Sequence, residues 1–309
     1  MRRLALIALA ALAGTPAPAQ PPRIVADTPV TASLIRQVLG DPGEVRILLP
    51  RGASPHHHQL RPSDAGALQQ AQLLVWIGPE LTPWLDKAAG TLGGDTAQLR
   101  LLAQPGTHLR TYGEVDDHDH DDHAGDDGHD HDHSHGGTDP HAWLDPANAR
   151  IWRAAIAAEL GRRDPGNAAA YRANAAAAAA RIDALDARIA QDLAPLTDRR
   201  FVVFHDAYGY FTGHYGLAPA VAVSLGDATA PSAARLRQVR ADISGTGARC
   251  AFPEYGQDPR LIESAITGTE ARIGGEIDPA GTALEPGAGL YGQLLRAMAD
   301  ALIGCLSRE

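Results

Sequence analysis

The chain has 309 residues, enough for two domains of ordinary size, and a formal net charge of −10 from 27 basic and 37 acidic residues. Ten of the acids lie within residues 114–132, where no Lys or Arg occurs, and without them 27 acids face 27 bases. No run of basic residues remains that would recognise nucleic acid or an anionic membrane surface, and no segment is apolar for long enough to cross a bilayer.

Arg2 and Arg3, the apolar residues 4–13 and the small-residue pattern Ala17-Pro18-Ala19 have the layout of a secretory signal peptide. Residues 1–19 are therefore expected to be removed, leaving a soluble chain that starts near Gln20 in the periplasm. No Cys follows the apolar stretch, so no lipid anchor on a cysteine is expected. In RIVAD the chain then reads as a strand. Thr28 and Pro29 are N-cap and first residue of a helix that runs to Leu39 and ends at Gly40. VRILLP is a second strand. Pro62-Ser63-Asp64 opens another helix, with Ser63 as N-cap, and LLVWIG is a buried parallel strand.

Residues 114–141 read EVDDHDHDDHAGDDGHDHDHSHGGTDPH. The segment is nearly devoid of apolar residues and cannot form a core, so residues 114–138 are expected to be a mobile loop. A purely solubilising segment has no use for His118, His120, His123, His129, His131, His133 and His135. Imidazole and carboxylate together point to accessory metal binding.

Residues 167–193 are rich in Ala and lack Pro and Gly, which predicts one helix of about 40 Å, stopped by Pro195. Strand and helix patterns resume after it: FVVFH and RCAFPE read as strands, with helices over PSAARLRQVRADI, 259–267 and 291–306. The fold class is therefore α/β with mainly parallel sheets. A first lobe over 20–162, a connecting helix over 163–196 and a second lobe over 197–309 are expected. Cys250 and Cys305 are the only cysteines. Export and the absence of a CxxC spacing favour a structural disulfide over metal ligation.

His56, His141 and His205 each lie near turn-forming residues or at a strand end, where an α/β fold builds its sites, and Asp278 follows a short apolar element. GASPHHHQLRPSD, DPHAWLDP and FHDAYGYF, which contain the three histidines, resemble in sequence and order three signatures of the zinc-binding proteins of bacterial ABC importers. The resemblance extends over the whole mature chain, including the acidic His-rich insertion, the long helix and the paired C-terminal cysteines. It implies two α/β lobes joined by one long helix, with Zn²⁺ in the cleft between them. It further implies His56, His141 and His205 as ligands, with Asp278 or water fourth. His57 and His58 offer alternatives at the first position. Manganese-binding relatives carry Glu where His205 stands, and three imidazoles with one oxygen suit zinc.

The implied function is capture of Zn²⁺ by a monomeric protein, without catalysis, and its delivery to an ABC permease. A secreted zinc hydrolase and a metal buffer without a transporter are the alternatives. Neither HExxH nor GxSxG occurs. His108 and His214 match no signature and read as surface or packing residues. Glu254 is a carboxylate behind a ligand or a plain strand-end residue, Asp206 orients a ligand or caps a helix, and Trp143 packs near His141.

Overall fold

The computed structural model describes residues 22–40, 44–92, 94, 96–112, 137–224 and 231–308. The leader at 1–19 and the seven histidines of the acidic segment lie outside the described residues. Two four-stranded sheets, all parallel, are built in the same order. The first contains β1 (Ile24–Ala26), β2 (Val45–Ile47), β3 (Leu73–Trp76) and β4 (Ala97–Arg100), arranged β2-β1-β3-β4. The second contains β5 (Phe201–His205), β6 (Val221–Ser224), β7 (Cys250–Phe252) and β8 (Arg272–Ile273), arranged β6-β5-β7-β8.

Alternation along each strand sends side chains to opposite faces. Ile24, Ala26, Leu73 and Val75 enter the core shared with the second lobe, while Val25, Leu74 and Trp76 enter an outer core. Phe201 and Val203 likewise face the shared core, and Val202 a separate outer one. All are buried, which is why the strand sequences look continuously apolar.

Helix α1 (Pro29–Leu39) starts as the sequence requires: the Thr28 hydroxyl accepts from the Thr31 amide at 3.1 Å, with Pro29 in the first turn. Helix α2 (Pro62–Gln70) differs. Arg61 is its N-cap residue and makes no side-chain cap bond, so Ser63 lies inside the helix and is not the cap. Pro62 sets that start through its fixed φ. Helices α3 (Pro83–Leu92) and α4 (Pro146–Arg163), with β4, β6 and β8, have no counterpart in the sequence reading. Asp145 caps α4, its carboxylate accepting from the Ala147 amide at 2.8 Å.

The long helix α5 (Ala168–Leu193) spans 26 residues, about 39 Å at 1.5 Å per residue. It is more than a strut. Tyr171, Ala175, Ala178, Ile182, Ile189 and Leu193 form a buried stripe on it, and it packs against α4, α1 and α9 (Leu290–Leu306). The C-terminal helix α9, which follows α7 (Ala233–Thr246) and α8 (Pro259–Ile266), also touches α1 of the first lobe, where the Ser33 hydroxyl donates to Ala288 O and accepts from the Tyr291 amide, both at 3.1 Å.

His214 ends the short helix α6 (Gly209–His214). Its two ring nitrogens lie 3.0 Å from Asp145 and 2.9 Å from Asp186 of α5. Burial alone lowers its pKa, but the two carboxylates outweigh that and raise it to about 9. A raised folded-state pKa gives stability that is complete below the unfolded value, about 6.5, and lost as pH climbs through the folded value. The His214→Gln variant is therefore expected to melt below the wild type at about pH 6, with the gap closing near about pH 10. Thermal melts of both proteins across that range check it; a gap independent of pH would contradict it.

Candidate metal centre

Each histidine arrives at the site by a different route. His205 is the last residue of β5, His56 lies in the turn after β2, and His141 directly precedes a 3₁₀ turn, Ala142–Leu144. The Trp84 indole fixes the His56 turn by donating to Pro55 O at 2.6 Å. The lobes meet across this point. Trp143 Nε1 donates to Pro279 O at 2.7 Å, and Arg51 donates to Ala283 O at 2.7 Å and pairs with Glu285. Gly256 has φ +83°, and a Cβ there would lie 3.2 Å from Gly52 O, so a side chain would hold the lobes apart.

All three imidazoles are buried, at 8%, 2% and 4% exposure for His56, His141 and His205. His141 Nε2 lies 3.3 Å from both His56 Nε2 and His205 Nε2. Two nitrogens bound to one tetrahedral ion at 2.0–2.1 Å stand about 3.3–3.4 Å apart. The three histidines form the one group among the described residues whose donor atoms could hold a metal ion. They line a cavity of about 40 Å³ shared with Trp143, Glu254 and Asp278. That is room for an ion or a water.

The other ring nitrogens decide which atoms face the cavity. His141 Nδ1 lies 2.7 Å from Asp139 Oδ1, which also accepts the His141 amide at 2.9 Å. His205 Nδ1 lies 2.7 Å from Glu254 Oε2, which accepts the Tyr208 hydroxyl at 3.1 Å. With each Nδ1–H directed at a carboxylate, the Nε2 lone pairs point at one another, an arrangement a cation relieves.

Burial, with His141 and His205 adjacent, lowers His56 to about 2, and burial with His205 lowers His141 well below its ordinary value. Both rings are thus neutral and ready to coordinate. His205 is also pulled down by burial, but the Glu254 carboxylate more than offsets this and raises it. Burial raises Asp139 to about 7 against the His141 amide and Arg110.

Among the three consecutive histidines, His56 alone joins the cluster. His57 is exposed, its ring 6.4 Å from that of His56, and His58 packs edge-on against Trp84 at 5.0 Å. Asp278 lines the cavity, yet its carboxylate lies outside the ligand group and accepts from the Ala283 amide at 2.7 Å. Trp143 packs 5.3 Å from the His141 ring. Glu254 is the carboxylate behind His205. Asp206 does not cap α6, whose N-cap residue is Tyr208, and it makes no hydrogen bond to a histidine among the described residues. His108 binds Asp145 at 3.1 Å, away from the cluster.

Asp139 went unmarked in the sequence, though an acid two residues before a candidate His is the signal for it. It also stands at the neck of the acidic segment. Thr111 and Thr138 form an antiparallel bridge there, and Tyr210 of the second lobe accepts from the Arg110 amide at 2.8 Å and donates to Asp139 O at 2.9 Å. Losing a partner behind a ligand weakens metal binding by about 10–100-fold. Asp139→Asn and Glu254→Gln are each expected to do so in zinc competition titrations, and unchanged affinity in both would contradict the orienting role.

Two parallel-sheet lobes spanned by a long helix, with a buried three-imidazole cluster between them, define a metal-binding solute-binding protein. Residues 24–305 match the profile of the ZnuA family, described as the periplasmic component A of a zinc-uptake complex, and the chain belongs to that family. It is 53% identical over 326 aligned positions to the high-affinity zinc uptake system protein ZnuA of Paracoccus denitrificans, with 100% of both chains covered. Identity to the Brucella suis protein of the same name is 35% over 298 positions, covering 89% of each chain. A crystal structure of ZnuA superposes with a TM-score of 0.73 at 25% identity, covering 92% of this chain and 98% of the other.

Proposed function

We propose that this protein captures one Zn²⁺ in the periplasm at His56, His141 and His205 and delivers it to an ABC permease for import. The observation that carries this reading is the convergence of three buried Nε2 atoms on a cavity of about 40 Å³. Three nitrogen donors at tetrahedral spacing suit zinc. One oxygen of Asp278, which lines the cavity, accepts the Ala283 amide, and the fourth position is taken by Asp278 or water. A three-histidine site with water also occurs in hydrolases, but a cavity of this size favours ion capture over catalysis on an organic substrate.

On this reading residues 1–19 are the signal peptide, the lobes cover 20–162 and 197–309, and 163–196 connect them. The acidic segment, 114–138, acts as a collector. Its seven histidines supply weak, exchangeable sites, because ordering a polar chain around a metal costs conformational entropy. Deleting residues 115–136 is expected to lower total zinc stoichiometry while one tight zinc per chain remains. Metal analysis and competition titration of untagged protein test both statements, and loss of the tight site on deletion would overturn the assignment.

A further inference from the structure

The sequence contains no basic run, and on that ground an anionic partner is not expected. Folding changes this by collecting arginines from distant segments. Arg199 and Arg200 directly precede β5, Arg249 precedes β7, Arg272 opens β8, and Arg308 follows α9. Phe201 is paired with Cys250, and Cys250 with Arg272. The parallel register therefore sets Arg200 beside Arg249 at strand spacing, about 4.8 Å, with Arg272, opposite Cys250, one residue further along. They occupy the end of the sheet opposite His205, which closes β5.

A cavity of about 370 Å³ opens there, lined by Arg199, Arg200, Arg249, Arg272 and Arg308, with Asp198 as the one acid among its lining residues. The arginines are poorly neutralised. Arg249 has only a long contact to exposed Glu270, at 3.9 Å. Arg199, Arg200 and Arg308 form no ion pair among the described residues. Arg272 donates to Cys305 O at 2.6 Å and Arg308 O at 2.7 Å, yet its Nε is buried without a partner. Like charges gathered around a concavity repel one another and raise the local concentration of anions. Guanidinium groups match the oxygens of phosphate in a paired geometry.

We propose that this arginine-lined cavity binds a phosphate-class oxyanion, independently of the metal centre. The group could belong to free phosphate or to an anionic lipid headgroup, and the test separates the two. Metal-free protein of residues 20–309 is titrated with inorganic phosphate at constant ionic strength and followed by ³¹P linewidth. In parallel it is sedimented with phosphatidylglycerol or phosphatidylcholine vesicles. Arg199→Gln combined with Arg200→Gln alters exposed side chains, and Arg272→Gln removes the buried donor. Saturable phosphate binding, weakened at least about tenfold in the double variant with zinc stoichiometry unchanged, is the expected result. Arginine-dependent retention on phosphatidylglycerol alone would assign the oxyanion to a headgroup. Absence of saturable binding in both arms, or binding equal in wild type and both variants, would overturn the proposal.

Discussion

Replacing His141 with Ala is expected to weaken zinc binding by more than the roughly 10–100-fold that loss of an orienting partner causes. His141 Nε2 lies 3.3 Å from each of the other two Nε2 atoms, so its removal takes the middle donor from the cluster. The variant also takes the imidazole partner from buried Asp139, whose Oδ1 still accepts the amide of residue 141. Losing one partner of a buried carboxylate adds a structural cost to the chemical one. His205→Ala is expected to behave alike, leaving Glu254 without its imidazole partner. His56→Ala should not be rescued by His57 unless the turn rearranges, since that ring is exposed and 6.4 Å away. Competition titration against a chelator of known affinity reads all three. Unchanged affinity in the His141 and His205 variants would contradict the site.

The second large effect concerns stability. The Cys250–Cys305 disulfide ties the first residue of β7 to the last turn of α9 across 55 residues, with both cysteines buried. Closing a loop of that length stabilises the fold by about 4 kcal/mol in the chain-entropy model. For a chain of this size that is about 7 °C in Tm. Cys250→Ala with Cys305→Ala is expected to lower the calorimetric Tm by that order while one tight zinc is retained, because the bond lies at the end of β7 away from Glu254. A change in Tm under about 2 °C would contradict the estimate.

Elements whose signal is local were legible in the sequence. Thr28-Pro29 starts α1, the Ala-rich run makes α5, and the apolar runs of β3 and β5 are buried on both faces. The three histidines that cluster were legible through the motifs that surround them. Elements that depend on distant partners were not. Helix α4 buries Arg153 and Glu159 alongside Trp152 and Ile156, so it shows no clean apolar stripe. β8 has two residues and exists through its pairing with β7. The role of Asp139 depends on a turn that returns its carboxylate to its neighbour's ring, and the choice of His56 over His57 on the direction each takes from one turn. The arginine cluster draws on segments far apart in the chain, and only the adjacent pair Arg199-Arg200 is visible in one of them.

The most direct test of the account is zinc K-edge absorption spectroscopy on protein lacking residues 115–136, loaded with one zinc. The account predicts three imidazole nitrogens near 2.0–2.1 Å and one further oxygen at similar distance, with one imidazole lost in His141→Ala. A first shell with fewer than three imidazoles, or one that His141→Ala leaves unchanged, would contradict it.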